Sequence, residues 1–165
     1  MTVLVVYASK HGSTEGIAQG IAERLRERGK QAEARPVEDV TDLGSPEAVI
    51  LGSAVYMGSW MKEAKAFVER NRETLSRVPV WLFSSGPIGD AAEAQAKGVG
   101  VSPKQLDELR VIGPRDHRLF PGVLDAAKLG FLERKMAKAI KAPEGDFRDW
   151  DEIRAFADEI ADAPD

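Results

Sequence analysis

Ser9, Gly12, Ser13 and Thr14 stand between five β-favouring apolar residues, Val3, Leu4, Val5, Val6 and Tyr7, and a helix-spaced series, Ile17, Ile21 and Leu25. The first N–H groups of a helix have no partner within it, and the helix dipole leaves partial positive charge there, so a phosphate can settle in such a loop. The hydroxyls of Ser9, Ser13 and Thr14 add donors, Gly12 lets the backbone approach closely, and Lys10 and His11 complete the loop. No G-x-G-x-x-G follows the strand, and no G-x-x-x-x-G-K-[ST] occurs anywhere. The loop therefore reads either as a site for a mononucleotide held through hydroxyls or as an ordinary capped strand-to-helix turn.

Two further stretches have the composition of binding loops. In 53–60, Ser53, Ala54, Val55, Tyr56, Met57, Gly58 and Trp60 combine small residues with aromatics able to flank a flat ring, and Gly58 is free to take φ > 0. Tyr56 reads as a ligand contact; for Trp60, ring contact and packing on the sheet stand equally open. In 84–89, Ser84, Ser85, Gly86, Pro87, Ile88 and Gly89 offer mainly backbone donors and acceptors, suited to the edge of a heterocycle. His117, in R-D-H-R, is a candidate proton donor or anion contact, weighed against a solvated strand entrance.

Length and composition limit the alternatives. The chain has 165 residues, 43% of them hydrophobic and 30% charged, which fits one soluble domain spanning 1–165 with a substantial core. A net charge of -4 gives no general attraction for nucleic acid. Without any Cys there is no disulfide, thiolate-bound cluster or cysteine nucleophile, and two His residues make a multi-histidine metal site a poor expectation. No apolar run approaches the roughly 18 residues of a membrane span, so the expected location is cytoplasmic.

The elements that must position these loops alternate. Strands are expected at 3–7, 31–37, 48–52, 80–83 and 117–120, with helices opening at Thr14 and covering 61–72, 103–109, 124–141 and a final segment. Glu33, Arg35 and Pro36 assign the second strand to an edge, whereas AVILG at 48–52 suits a strand covered on both faces. Asp149 and Glu152 stand in capping-box spacing before the last helix. The expectation is an α/β fold, an open five-stranded parallel sheet of order 2-1-3-4-5 with helices on both faces. Its ligand would lie at the C-terminal strand ends, at the switch point between the first and third strands. The 124–141 helix carries Lys128, Arg134, Lys135, Lys138 and Lys141, a solvated face or a weak contact for anionic lipid.

S-K-H-G-S-T at 9–14 resembles the flavodoxin phosphate loop, [ST]-x-[ST]-G-x-[ST]; Ser9, Gly12 and Thr14 match, and His11 stands where the pattern has a hydroxyl. The resemblance implies a flavodoxin-like fold with FMN as cofactor, bound by the three loops. Taken with S-A-V-Y-M-G at 53–58, the basic helix and an ending that opens on Trp150-Asp151, the chain is similar to the menaquinone-dependent protoporphyrinogen IX dehydrogenase branch. That branch carries a long basic insertion where 88–101 here has Lys97 as its one basic residue. The similarity implies an FMN-dependent oxidoreductase that passes reducing equivalents to a quinone or a redox partner protein, peripheral to the inner face of the plasma membrane. An electron-transfer flavodoxin and a cofactor-free binding module are the alternatives.

Overall fold

The computed structural model describes residues 2–9, 12–56, 59–85, 103–120, 123–124, 145–146, 148 and 150–163. Its central strand is β1 (Val3–Ala8), hydrogen-bonded in parallel to β2 (Ala32–Pro36) on one side and β3 (Ala48–Tyr56) on the other. A two-residue strand, β4 (Ser59–Trp60), folds back antiparallel on the tail of β3. β5 (Val80–Ser85) and β6 (Asp116–Phe120) extend the parallel sheet, giving the order β2-β1-β3-β5-β6. With the short β4 set aside, this is the 2-1-3-4-5 order expected, and β2 is the edge strand that its charged and proline residues require.

Side chains alternate across the strands, so each strand feeds two cores. On one face Val5, Ile50 and Phe83 meet Ile17, Ile21 and Leu25 of α1 (Ser13–Glu27) and Ile153 and Phe156 of the C-terminal helix, α5 (Trp150–Asp162).

 In chain order the helices between these two are α2 (Lys62–Arg70), α3 (Arg72–Leu75) and α4 (Pro103–Arg110). They cover the opposite face, where Val6, Leu51 and Leu82 pack on Phe67, Leu75 and Leu109. Burying each of these large side chains stabilises the fold by about 1.5–3 kcal/mol, and both faces of β1, β3 and β5 contribute. α1 and α5 are further joined by Arg24 to Asp158 at 2.7 Å and Arg28 to Asp158 at 3.0 Å, partly exposed pairs that orient more than they stabilise.

Three differences from the sequence reading are the largest. β3 continues to Tyr56, through residues expected in a loop, because Ser53 finds a ladder partner in Ala8 and Ala54 finds one in Ser85. Backbone pairing with neighbours on both sides outweighs the weak strand propensity of Gly and Ser. The expected 61–72 helix divides at Asn71, whose side-chain amide donates to the Phe67 carbonyl at 3.0 Å and competes with the helix ladder. Leu124, expected to open a helix, lies instead in β7 (Val123–Leu124), paired antiparallel with β8 (Gly145–Asp146). There the cross-strand backbone bonds prevail over helical periodicity. The rest of that expected helix, 125–141, and the Asp149 cap lie outside the described residues. Among the described residues no helix is long and apolar enough to cross a membrane.

Gly52 shows how tightly the sheet is filled. A Cβ there would fall within the ring of Phe83, the residue beside it on β5. Gly52→Ala is expected to lower stability by about 1–3 kcal/mol through overpacking. The Gly52→Ala, Phe83→Leu double variant should recover part of that loss, as read from urea unfolding midpoints.

Candidate functional site

β1 ends opposite Ser53 of β3, and the chain turns there into α1. Ser9 shapes the turn: its Oγ accepts the Gly12 N–H at 3.0 Å. Gly12 has φ 90° and ψ -11°, a left-handed conformation that L side chains adopt only at a cost, and it opens α1 with no side-chain cap. Tyr7, buried at the end of β1, donates its hydroxyl to Glu15 Oε1 at 3.3 Å and so ties the strand end to the first turn of the helix. Burial, then the Glu15 carboxylate, pushes the Tyr7 phenol up to about 12. Thr14 is 0% exposed, and its Oγ1 has no hydrogen-bond partner among the described residues. Lys10, His11 and the Ser13 side chain lie outside the described residues.

The second stretch is a hairpin. Val55 pairs with Trp60 and the Tyr56 backbone with Ser59, so Ser53, Ala54, Val55 and Tyr56 belong to β3 and Trp60 to β4. Trp60 is 2% exposed, and its indole N–H donates to Ser84 Oγ at 2.9 Å. Trp60 thus packs within the protein, as one of its two readings expects. Ser53 is also engaged within the protein: it accepts the Met61 N–H at 3.0 Å and donates to the Ala54 carbonyl at 2.8 Å. Met57, Gly58 and the Tyr56 side chain lie outside the described residues.

β5 carries the third stretch only as far as Ser85; Gly86, Pro87, Ile88 and Gly89 lie outside the described residues. Ser84 and Ser85 point to opposite faces and have opposite fates. Ser84 is bonded to Trp60 and His117, whereas Ser85, 3% exposed, has an Oγ without a partner among the described residues. Buried hydroxyls are ordinarily satisfied, so orphans at Thr14 and Ser85 are informative. Both sit at the C-terminal edge of the parallel sheet, around the switch point between β1 and β3, where an open α/β sheet takes its ligand. Hydroxyl donors at a helix N-terminus and a strand end suit a phosphorylated ligand with a polar ring.

His117 requires a correction of place. It is the second residue of β6, three residues before Phe120, or about 10 Å from the C-terminal end at the usual rise per residue. The sequence reading weighed a contact at the site against a solvated strand entrance; the register places His117 at the entrance of its strand, with the ring partly buried rather than solvated. Its Nε2 lies 2.7 Å from Ser84 Oγ and its ring meets Trp60 edge-on at 5.9 Å. Burial lowers the imidazole pKa to about 4, and neighbouring Asp116 only partly offsets this. Among the described residues no group of His, Asp or Glu could hold a metal ion.

The sequence reading missed Gln105. It is buried on α4, and its Oε1 accepts the Ser59 hydroxyl at 3.0 Å and the Trp60 N–H at 3.4 Å. The available signal was a polar residue one helical turn before Leu109, on the apolar side of a short amphipathic helix. The Trp150-Asp151 feature also gains a physical reading. Trp150 lies along α1 so closely that a Cβ on Gly20 would stand 2.8 Å from its ring, and the Arg148 guanidinium covers that ring at 4.9 Å.

A family model described as a flavodoxin domain matches residues 4–151. Solved structures of similar fold include oxidised Flavodoxin 2 from Bacillus cereus, at 22% identity and TM-score 0.63, covering 98% of this chain and 97% of that one. The flavodoxin of Streptococcus pneumoniae TIGR4 is similar at 18% identity and TM-score 0.62, with 98% of each chain covered. Rubredoxin oxygen:oxidoreductase from Desulfovibrio gigas, at 18% identity and TM-score 0.60, covers 97% of this chain, which spans 35% of that protein. No curated protein sequence matches the chain.

The depressed His117 pKa predicts a pH signature. Between pH 6.5 and 4 the unfolded chain binds a proton at this position and the folded chain does not, so stability falls as pH falls through that window. The loss amounts to roughly 3 kcal/mol at most. Urea unfolding at pH 7 and pH 4 should show a smaller loss in His117→Gln than in the parent, and equal losses would contradict a partly buried, neutral imidazole.

Proposed function

We propose a flavin redox role for this chain, which belongs to the flavodoxin domain family and whose cofactor is accordingly FMN. The observation that carries the reading is the pair of buried hydroxyls, Thr14 Oγ1 and Ser85 Oγ, that no group among the described residues satisfies. Each such hydroxyl costs about 1–3 kcal/mol, a cost that a ligand accepting or donating there would remove. Thr14 and the N–H groups opening α1 would hold the phosphate, with Ser9, Lys10, His11, Gly12 and Ser13 around it. Ser85 and the residues after it would meet the ring from one side, and the β3–β4 hairpin with Tyr56 from the other. When bound, FMN supplies the electron chemistry, while the protein supplies orientation, a particular polarity and exclusion of water.

Within that role the reading we favour is an oxidoreductase of the menaquinone-dependent protoporphyrinogen IX dehydrogenase type, with a tetrapyrrole as donor and a quinone as acceptor. Its support is S-A-V-Y-M-G at 53–58 and the Trp150-Asp151 opening of α5. The basic residues Lys128, Arg134, Lys135, Lys138 and Lys141 would suit contact with the anionic surface in which a quinone is dissolved. A carrier flavodoxin is the second reading. It is favoured by 88–101, where Lys97 is the one basic residue available to tetrapyrrole carboxylates.

The test begins with the absorption spectrum of the purified protein titrated with FMN. Protoporphyrinogen and a menaquinone analogue then follow, without oxygen. A flavin spectrum that bleaches with the porphyrinogen and returns with the quinone is the expected result. Bound flavin indifferent to both would favour the carrier, and no flavin binding would leave a binding module. Thr14→Val should weaken FMN by about tenfold or more while raising the stability of the ligand-free protein by roughly 1 kcal/mol, since the orphaned hydroxyl is gone. Riboflavin, which lacks the phosphate, should bind both proteins alike.

A further inference from the structure

The β3–β4 hairpin is too short to hold its own position. It has two paired positions, and β4 contains only Ser59 and Trp60. What fixes it is a set of side chains from α4, from β5 and from the part of β3 that lies within the sheet. Gln105 of α4 accepts from the Ser59 hydroxyl and the Trp60 N–H. Ser84 of β5 accepts from the Trp60 indole, and Ser53 of β3 accepts from the Met61 N–H. Three consecutive residues are thus each bonded to a buried polar side chain. Apolar residues of the same volume would fill this space with no desolvation cost, whereas a fully satisfied polar network specifies one arrangement.

His117 closes the network. An indole N–H can only donate, so Ser84 Oγ is an acceptor towards Trp60. The Ser84 hydroxyl hydrogen is then left for His117 Nε2, 2.7 Å away. This arrangement requires a neutral imidazole with its proton on Nδ1. A second proton on Nε2 would make both neighbours of Ser84 donors and leave the hydroxyl hydrogen without an acceptor. The order of donation, Trp60 to Ser84 to His117, is therefore determined by the chemistry of its two ends.

We infer that His117 and Ser84 are positioning residues for the flavin ring, acting through Trp60 to hold the β3–β4 hairpin at a fixed height over the C-terminal edge of the sheet. The inference rests on the flavin reading above. It adds that ring affinity is set by a hydrogen-bonded chain that runs back into the sheet to a histidine near the start of β6. Because the network supports the hairpin and not the turn between β1 and α1, it governs the ring and leaves the phosphate alone.

That separation makes the inference testable with two ligands. FMN and riboflavin are titrated, by quenching of flavin fluorescence at neutral pH, into the parent protein, His117→Leu, His117→Gln and Trp60→Phe, each checked for native circular dichroism. His117→Leu and Trp60→Phe should weaken FMN and riboflavin by the same factor, about fivefold to tenfold, the worth of one hydrogen bond. His117→Gln, whose amide oxygen can accept the Ser84 hydroxyl, should stay within about twofold of the parent. Should His117→Leu fail to fold, Trp60→Phe and His117→Gln carry the same comparison. Unchanged affinities, or a loss confined to FMN, would overturn the positioning role while leaving the flavin reading intact. A parent protein that binds neither flavin would overturn both.

Discussion

The C-terminal ends of β1, β3 and β5 are held level by hydrogen bonding, and the site depends on that register. Ala8 stands opposite Ser53, and Ala54 opposite Ser85, so the chain leaves the sheet for α1, for the β4 hairpin and for the segment after Ser85 along one edge. A slip of one residue would send every inward side chain to the other face. Both faces are filled: Val5 and Val6, adjacent in β1, are fully buried in different cores. The double burial of the central strands is therefore what keeps the loop ends in line.

Glycine and aromatic residues share the work of bringing the layers together. Phe83 occupies the space above Gly52, and Trp150 lies along α1 where Gly20 leaves room. The second contact bears on the site, because α1 is the helix whose N-terminus closes the turn from β1. Trp150, together with the Arg24, Arg28 and Asp158 cluster, determines how α1 sits on the sheet. The tryptophan-acid pair that marks the end of the sequence is in this sense a support for the loop at its beginning.

Polar groups beneath the edge are divided by whether the protein satisfies them. Ser53, Ser84 and Gln105 are buried and bonded to the residues of the hairpin, while Thr14 and Ser85 are buried with unpartnered hydroxyls. The first group gives the hairpin its shape at the cost of removing polar atoms from water, a cost that complete hydrogen bonding offsets. The second group leaves a local deficit that the fold alone does not relieve. A site of this kind is rigid where it supports and unsatisfied where it binds.

The sequence by itself determined the alternation of strands and helices, the edge position of β2 and the sheet order, because continuous apolar runs and the charged, proline-bearing 31–37 segment report burial directly. It also marked three candidate stretches after β1, in β3–β4 and after β5, since small and hydroxyl residues after apolar strands are a local signal. Only the tertiary structure decided which hydroxyls are spent and which remain. Ser84 and Ser85 are identical in sequence terms, yet one faces Trp60 and His117 and the other has no partner, because the pleat turns adjacent residues to opposite layers. The same holds for His117, read as a ligand contact or a solvated strand entrance, and for Gln105, not noticed at all. Their partners come from elements distant in the chain, and hydrogen bonding across such distances leaves no periodic trace in sequence.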